Sequence, residues 1–251
     1  MNKQMSFYRN NGVITQADGD QGDTLNRTGV YYSVLTALGL KDDRGCSTYY
    51  GCRLDLDLLS GSVDGRFRRG NDATRWFYNE DNVTRDQMVT VEAAMALTDM
   101  RFAARAHFWL RARRLFTHFS TQNDGADAGP LKYKLPDICT PSEFGTLIRA
   151  TKYKALYFLL PITDLFLLID VKYSRSLNER SLYDADNQLL PQVLAALNEP
   201  SFMTETVRRA YAVTDAASRL RSYYSELDGR NGIEPLGELA ALAFERCVGG
   251  L

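Results

Sequence analysis

Residues 76 to 100 read WFYNEDNVTRDQMVTVEAAMALTDM, and the second half of that stretch decides the fold. Thr84 is a hydroxyl residue suited to an N-cap, Gln87 stands three positions on as its capping-box partner, and Val83 and Met88 occupy the staple positions that flank such a cap. The spacing predicts a helix from Arg85 to about Leu97 that turns Met88, Val91 and Met95 toward a core. Its first turn carries Arg85, Asp86 and Gln87, where free backbone N–H groups and the positive end of the helix dipole favour an anion or a polar ligand. A well-capped helix needs no ligand, so these three residues are candidates only.

Working outward from that helix, the same periodicity recurs. Downstream, a helix from about Arg101 to Phe119, capped by Asp99, alternates Arg105, Arg111, Arg113 and Arg114 with Phe102, Phe108, Trp109 and Leu115, as a solvated face opposite a core face does. Thr140-Pro141-Ser142-Glu143 combines a capping box with proline at the first helical position. The next run, Ala155 to Val171, is the most apolar of the chain and predicts a central helix buried on all sides. It is too short for a membrane span and holds Pro161, Asp164 and Asp170. A buried Asp164 needs a partner, for which a structural arginine is preferred over a ligand. Short, longer and final helices are expected at about Pro191–Leu197, Phe202–Leu227 and Pro235–Cys247.

Upstream, Val30, Tyr31, Val34, Leu35 and Leu38 mark a helix from about Leu25 that Asp23 or Thr24 caps and Gly39 stops. Residues 1–23 form a polar arm that only docking can order, and residues 40–80 form a long irregular loop or insertion. The fold class is therefore all-α: one domain over residues 1–251, built as an array of helical hairpins or a partial α/α toroid with long loops.

Bulk properties exclude several classes of function. Thirty basic residues against thirty-one acidic ones leave no electrostatic footprint for nucleic acid. No apolar leader opens the chain, so synthesis in a reducing cytoplasm without a signal peptide is expected. Cys139 and Cys247 then read as buried thiols, and Cys46 and Cys52 as reduced rather than bridged. No nucleophile elbow, phosphate loop, dinucleotide fingerprint or zinc motif is present, so no cofactor and no metal is expected.

Carboxylate chemistry remains. Asp18, Asp20 and Asp23 precede the first helix, and Arg27 lies one turn after Asp23. That spacing suits an i,i+4 ion pair. Alternatively, Asp23 and Asp86 converge as acid and base across a cleft, as glycosidic cleavage requires of two carboxyl groups, with Arg85 and Gln87 positioning the substrate. Trp76, among arginines and aromatics in GRFRRGNDATRWFYNEDN, either lines a sugar cleft or plugs the core.

GDTLNRTGVYY, then Asn82-Val83-Thr84-Arg85-Asp86-Gln87, then DLFLLID resemble three blocks shared by a group of uncharacterised phage and environmental bacterial proteins. In general shape that group is similar to the helical toroids of six-hairpin glycosidases and some polysaccharide lyases. The resemblance implies that Asp23, Arg27, Arg85, Asp86 and Gln87 gather at one end of a barrel of helices facing a glycan, with Trp76 as a stacking platform. At 251 residues the chain is shorter than a complete six-hairpin ring. The phage resemblance equally implies a structural component of a tail, neck or capsid, carried in the virion. Expected partners are thus a polysaccharide or other subunits of a phage particle, copies of the same chain among them, with no membrane span.

Overall fold

The stretch from Arg85 to Leu97 is helical, as its pattern of caps and apolar positions predicts, and it becomes the axis of the molecule. The computed structural model describes residues 9–10, 13–14, 24–40, 67–68, 85–98, 100–118, 140–174, 179–212, 218 and 236–248. Its α-helices are α1 (Thr24–Leu38), α2 (Arg85–Leu97), α3 (Arg101–His118), α4 (Pro141–Thr151), α5 (Leu160–Ser174), α6 (Glu179–Asn198), α7 (Thr204–Ala212) and α8 (Leu236–Val248). A 3-10 helix, Lys154–Leu159, leads into α5. The fold is all-α; a short antiparallel pairing in which Arg9 faces Ile14 and Asn10 faces Val13 stands outside the helices.

Every side chain of α2 from Gln87 to Ala96 is buried, because α1, α3, α4 and α6 all pack on it. Small residues make that crowding feasible. At Gly29 of α1 an added Cβ would lie 2.7 Å from the backbone carbon of Thr90, so the second turns of α1 and α2 can touch only through a glycine. Thr90 Oγ1 completes the contact by donating to the carbonyl of Asn26 at 3.2 Å, within bonding distance also of its own helix at Gln87 O. On one side of this axis Leu25, Phe67, Met88, Met95 and Met100 form a core. On the other, Val30 and Leu35 meet Leu167, Val193, Val207 and Ala240 from α5 to α8.

The helix ends follow from sequence. Gly39, at φ 64°, stops α1, and Leu40 N–H then donates to Leu35 O at 2.9 Å in a Schellman closure. Thr140 caps α4 reciprocally with Glu143: the Glu143 N–H lies 3.4 Å from Thr140 Oγ1, and Thr140 N–H donates to Glu143 Oε2 at 3.2 Å. α4 ends at Lys152, whose φ of 55° is unusual for a residue with a side chain. Its ammonium donates to Ala96 O at 3.0 Å and to Glu199 Oε1 at 2.8 Å, joining the ends of α2, α4 and α6.

Two expectations are corrected. The apolar run from Ala155 to Val171 is neither one helix nor buried all round: it divides into the 3-10 helix and α5, and one side of both lies open. Pro161 explains the division, since proline has no N–H to give a preceding turn and suits the first turn of a new helix. The helix expected at Pro191–Leu197 extends back to Glu179 and takes Pro191 into its interior. Burial of Leu189, Leu190, Val193 and Leu194 around the proline offsets the lost backbone bond. Cys46, Cys52, Cys139, Asp99, the side chain of Cys247 and most of the stretches 1–23, 40–80 and 213–235 lie outside the described residues.

Candidate functional site

α5 is amphipathic in the reverse sense. Toward the interior it turns Thr163, Asp164, Leu167, Leu168 and Val171; outward it turns Ile162, Leu165, Phe166 and Ile169, continued by Phe158 of the 3-10 helix. These five apolar side chains keep from 39% (Phe166) to 73% (Phe158) of their surface exposed. Between residues 155 and 169 the only charged residue is Asp164, and it is inside. A surface helix of a self-sufficient globule shows the opposite arrangement.

Two contacts fix this rotation. Arg149 of α4 donates from Nη2 to both Asp164 oxygens at 2.8 Å, and from Nε to the Glu199 carbonyl at 2.9 Å. The Ser201 hydroxyl donates to the same carboxylate, so a fully buried ion pair is held from three elements. One residue earlier, Thr163 sits against Gly145, where a Cβ would come within 2.3 Å of its hydroxyl oxygen. With Thr163 and Asp164 locked inward, helical geometry sends Ile162, Leu165, Phe166 and Ile169 outward. The structural arginine expected for Asp164 is therefore Arg149.

Further apolar surface lies on α3, where Phe102 and Trp109 are exposed. Trp109 Nε1 donates to the Tyr153 hydroxyl at 3.1 Å, and the Arg105 guanidinium lies 4.7 Å from the centre of the Tyr153 ring. This cluster holds the α3 surface against the end of α4.

Of the residues singled out in the sequence, Arg27 and Gln87 are buried, in the neighbouring first turns of α1 and α2. Arg85 and Asp86 open α2, but their side chains, like all of Asp23 and Trp76, lie outside the described residues. What the structure brings together is the first two turns of the helix that follows Asp23 and the second turn of the helix that contains Asp86.

The sequence reading missed one group altogether. Glu92, midway along α2, accepts from His107 Nε2 at 3.0 Å and from Arg111 of α3 on the same oxygen, Oε1. All three are buried, the edge of Phe67 closes over His107 with ring centres 5.9 Å apart, and Glu92 Oε2 is buried without a hydrogen-bond partner among the described residues. A carboxylate beside an imidazole has the elements of acid–base chemistry, but sealed from solvent it meets no substrate and acts as the bolt between α2 and α3. The signal was present: Glu92 is the only charge between Gln87 and Leu97, and His107 and Arg111 share a helix face at i,i+4 spacing.

The site thus defines an all-α domain with two buried ionic clusters, around Glu92 and around Asp164, and an apolar ridge outside. No described helix is long and apolar enough to cross a membrane. In comparisons with known proteins the chain matches no family model, no curated protein and no solved structure.

Proposed function

We propose that the chain is a non-catalytic subunit that works by assembly with other polypeptides and docks through the outer face of α5. One observation carries this reading: five apolar side chains, from Phe158 to Ile169, stand in water with no charge among them. Covering such side chains is worth about 1.5–3 kcal/mol each when burial is complete, and contiguous apolar surface of this extent marks interaction sites. The blocks that resemble phage proteins suggest a tail, neck or capsid-associated component as the assembly. Replacing Ile162 and Ile169 together by glutamate is expected to abolish association in sedimentation velocity while leaving the circular dichroism helical, because both positions face outward. If the native chain sediments at its own 28.3 kDa, both purified and in extracts of the cells that make it, assembly is not its role.

A second reading, glycan binding or cleavage, is favoured by the contact of Asn26, in the first turn of α1, with Thr90, in the second turn of α2, since Asp23 immediately precedes the one helix and Asp86 stands in the first turn of the other. Here Asp23 and Asp86 serve as acid and base, and Arg85 and Trp76 meet the sugar. Arg27 and Gln87, being buried, act by holding the two helices. Asp86→Asn is then expected to lower the release of reducing ends from a polysaccharide panel at least a hundredfold, the scale of a lost acid–base group, with an unchanged melting temperature. Activity retained in the variant removes Asp86 from any such mechanism.

A further inference from the structure

We propose that the Arg149, Asp164 and Ser201 cluster is an orientation lock: it holds α5 against a second setting, turned about the helix axis, in which the outer apolar face lies inside. The inference needs no partner and stands apart from the assembly reading above. It starts from what each face of α5 offers to a core. Inward, the helix turns Leu160, Leu167, Leu168 and Val171 together with Thr163 and Asp164. Outward, between residues 162 and 169, it turns Ile162, Leu165, Phe166 and Ile169 with no polar group among them. At about 100° per residue the two sets lie on opposite sides of the helix, about half a turn apart. Each holds four apolar side chains, but only the inner set carries a hydroxyl and a carboxylate. Burial of apolar area alone therefore favours the outer set, and the observed setting depends on polar contacts.

Those contacts belong to one setting only. A carboxylate enters an interior where a cation and further donors meet it, and Arg149 and the Ser201 hydroxyl do so for Asp164 from two other elements. Thr163 fits because Gly145, opposite it, carries no side chain. On the flank of the helix, the Ser142 hydroxyl of α4 donates to Asp170. A turned α5 surrenders every one of these ties and gains apolar burial in their place. The connection to α4 permits the turn: no residue of the 3-10 helix Lys154–Leu159 is buried, so this segment can rewind without opening the core. Desolvation leaves a buried ion pair little net stability, and the best-attested use of such a group is to choose one packing among several. Here the choice is which face of α5 meets water.

Site-resolved alkylation of the full chain reads the orientation. Ile169→Cys places a thiol on the outer face and Val171→Cys places one on the inner face. Iodoacetamide followed by peptide mass spectrometry follows each position separately from the native cysteines. With the lock intact, position 169 should react far faster than position 171. In an Arg149→Met, Asp164→Leu background that keeps its helical circular dichroism, position 169 should slow about tenfold while position 171 quickens, as when the turned setting rises to about nine-tenths of the population. An unchanged ratio of the two rates overturns the inference. So does a faster reaction at 171 with the rate at 169 unaltered, since that is a loosened helix and not a turned one. Arg149→Gln with Asp164→Asn removes both charges and keeps polar groups in their place; it is the second background should the apolar pair not fold, with the same two shifts expected. If neither background folds, the ion pair is a condition of folding and not a choice between folded settings, and the inference falls.

Discussion

Arg149→Ala is expected to destabilise the fold by about 3–5 kcal/mol, the range for removing one member of a buried ion pair. The size follows from what is left behind. Asp164, 1% exposed, loses its only cationic partner among the described residues, and the Glu199 carbonyl loses the Arg149 Nε donor. Arg149→Lys should recover only part of the loss, because an ammonium keeps the charge but not the fork that reaches Asp164 and Glu199 together. Replacing both partners by apolar residues, Arg149→Met with Asp164→Leu, should bring stability back toward the native value, since desolvation already offsets much of the attraction in the native pair. Urea titrations followed by circular dichroism would rank the four proteins. A loss below about 1 kcal/mol for Arg149→Ala would place the pair in the surface class and remove the account of what rotates α5.

A comparable loss is expected at the other buried cluster. Glu92→Ala removes the buried carboxylate that Arg111 and His107 of α3 share, again at a cost of about 3–5 kcal/mol. Glu92→Gln keeps the shape and one acceptor oxygen but leaves Arg111 without this counter-charge, so its melting temperature should fall between those of the wild type and Glu92→Ala. Equal melting temperatures for Glu92→Ala and the wild type would show that α2 and α3 are held by apolar contact alone. Both experiments probe buried charged groups, which interiors seldom hold unless they are paired.

Buried pairs of this kind separate what was legible in the sequence from what was not. Elements with chemically specific ends were legible: the Thr140 and Glu143 capping box, the Gly39 stop and the Arg85 start all stand where local rules put them. The all-α class followed from periodicity, which survives tertiary context in long helices. Ala155 to Val171 misled because its composition records how apolar a segment is and not what covers it. A helix buried by its own chain and one buried by a partner look alike in sequence. The inward direction of Asp164 depends on Arg149, fifteen residues away, and on Ser201, thirty-seven away, pairings that no local pattern displays. Glu92 was overlooked for a related reason: a lone acid on an apolar helix becomes meaningful only beside its donors on the next helix. For the acid and base candidates, Asp23 and the side chain of Asp86 lie outside the described residues, and only the packing of the helices that follow Asp23 and contain Asp86 is seen.

Lys152 has a consequence for motion. A glycine would fit its left-handed backbone with less strain, yet a glycine has no amine to reach Ala96 and Glu199. Its tether means that α2, α4 and α6 cannot fray at these ends one by one; loosening any of them surrenders bonds belonging to the other two. Opening there is a shared event, and the three termini breathe as a single unit.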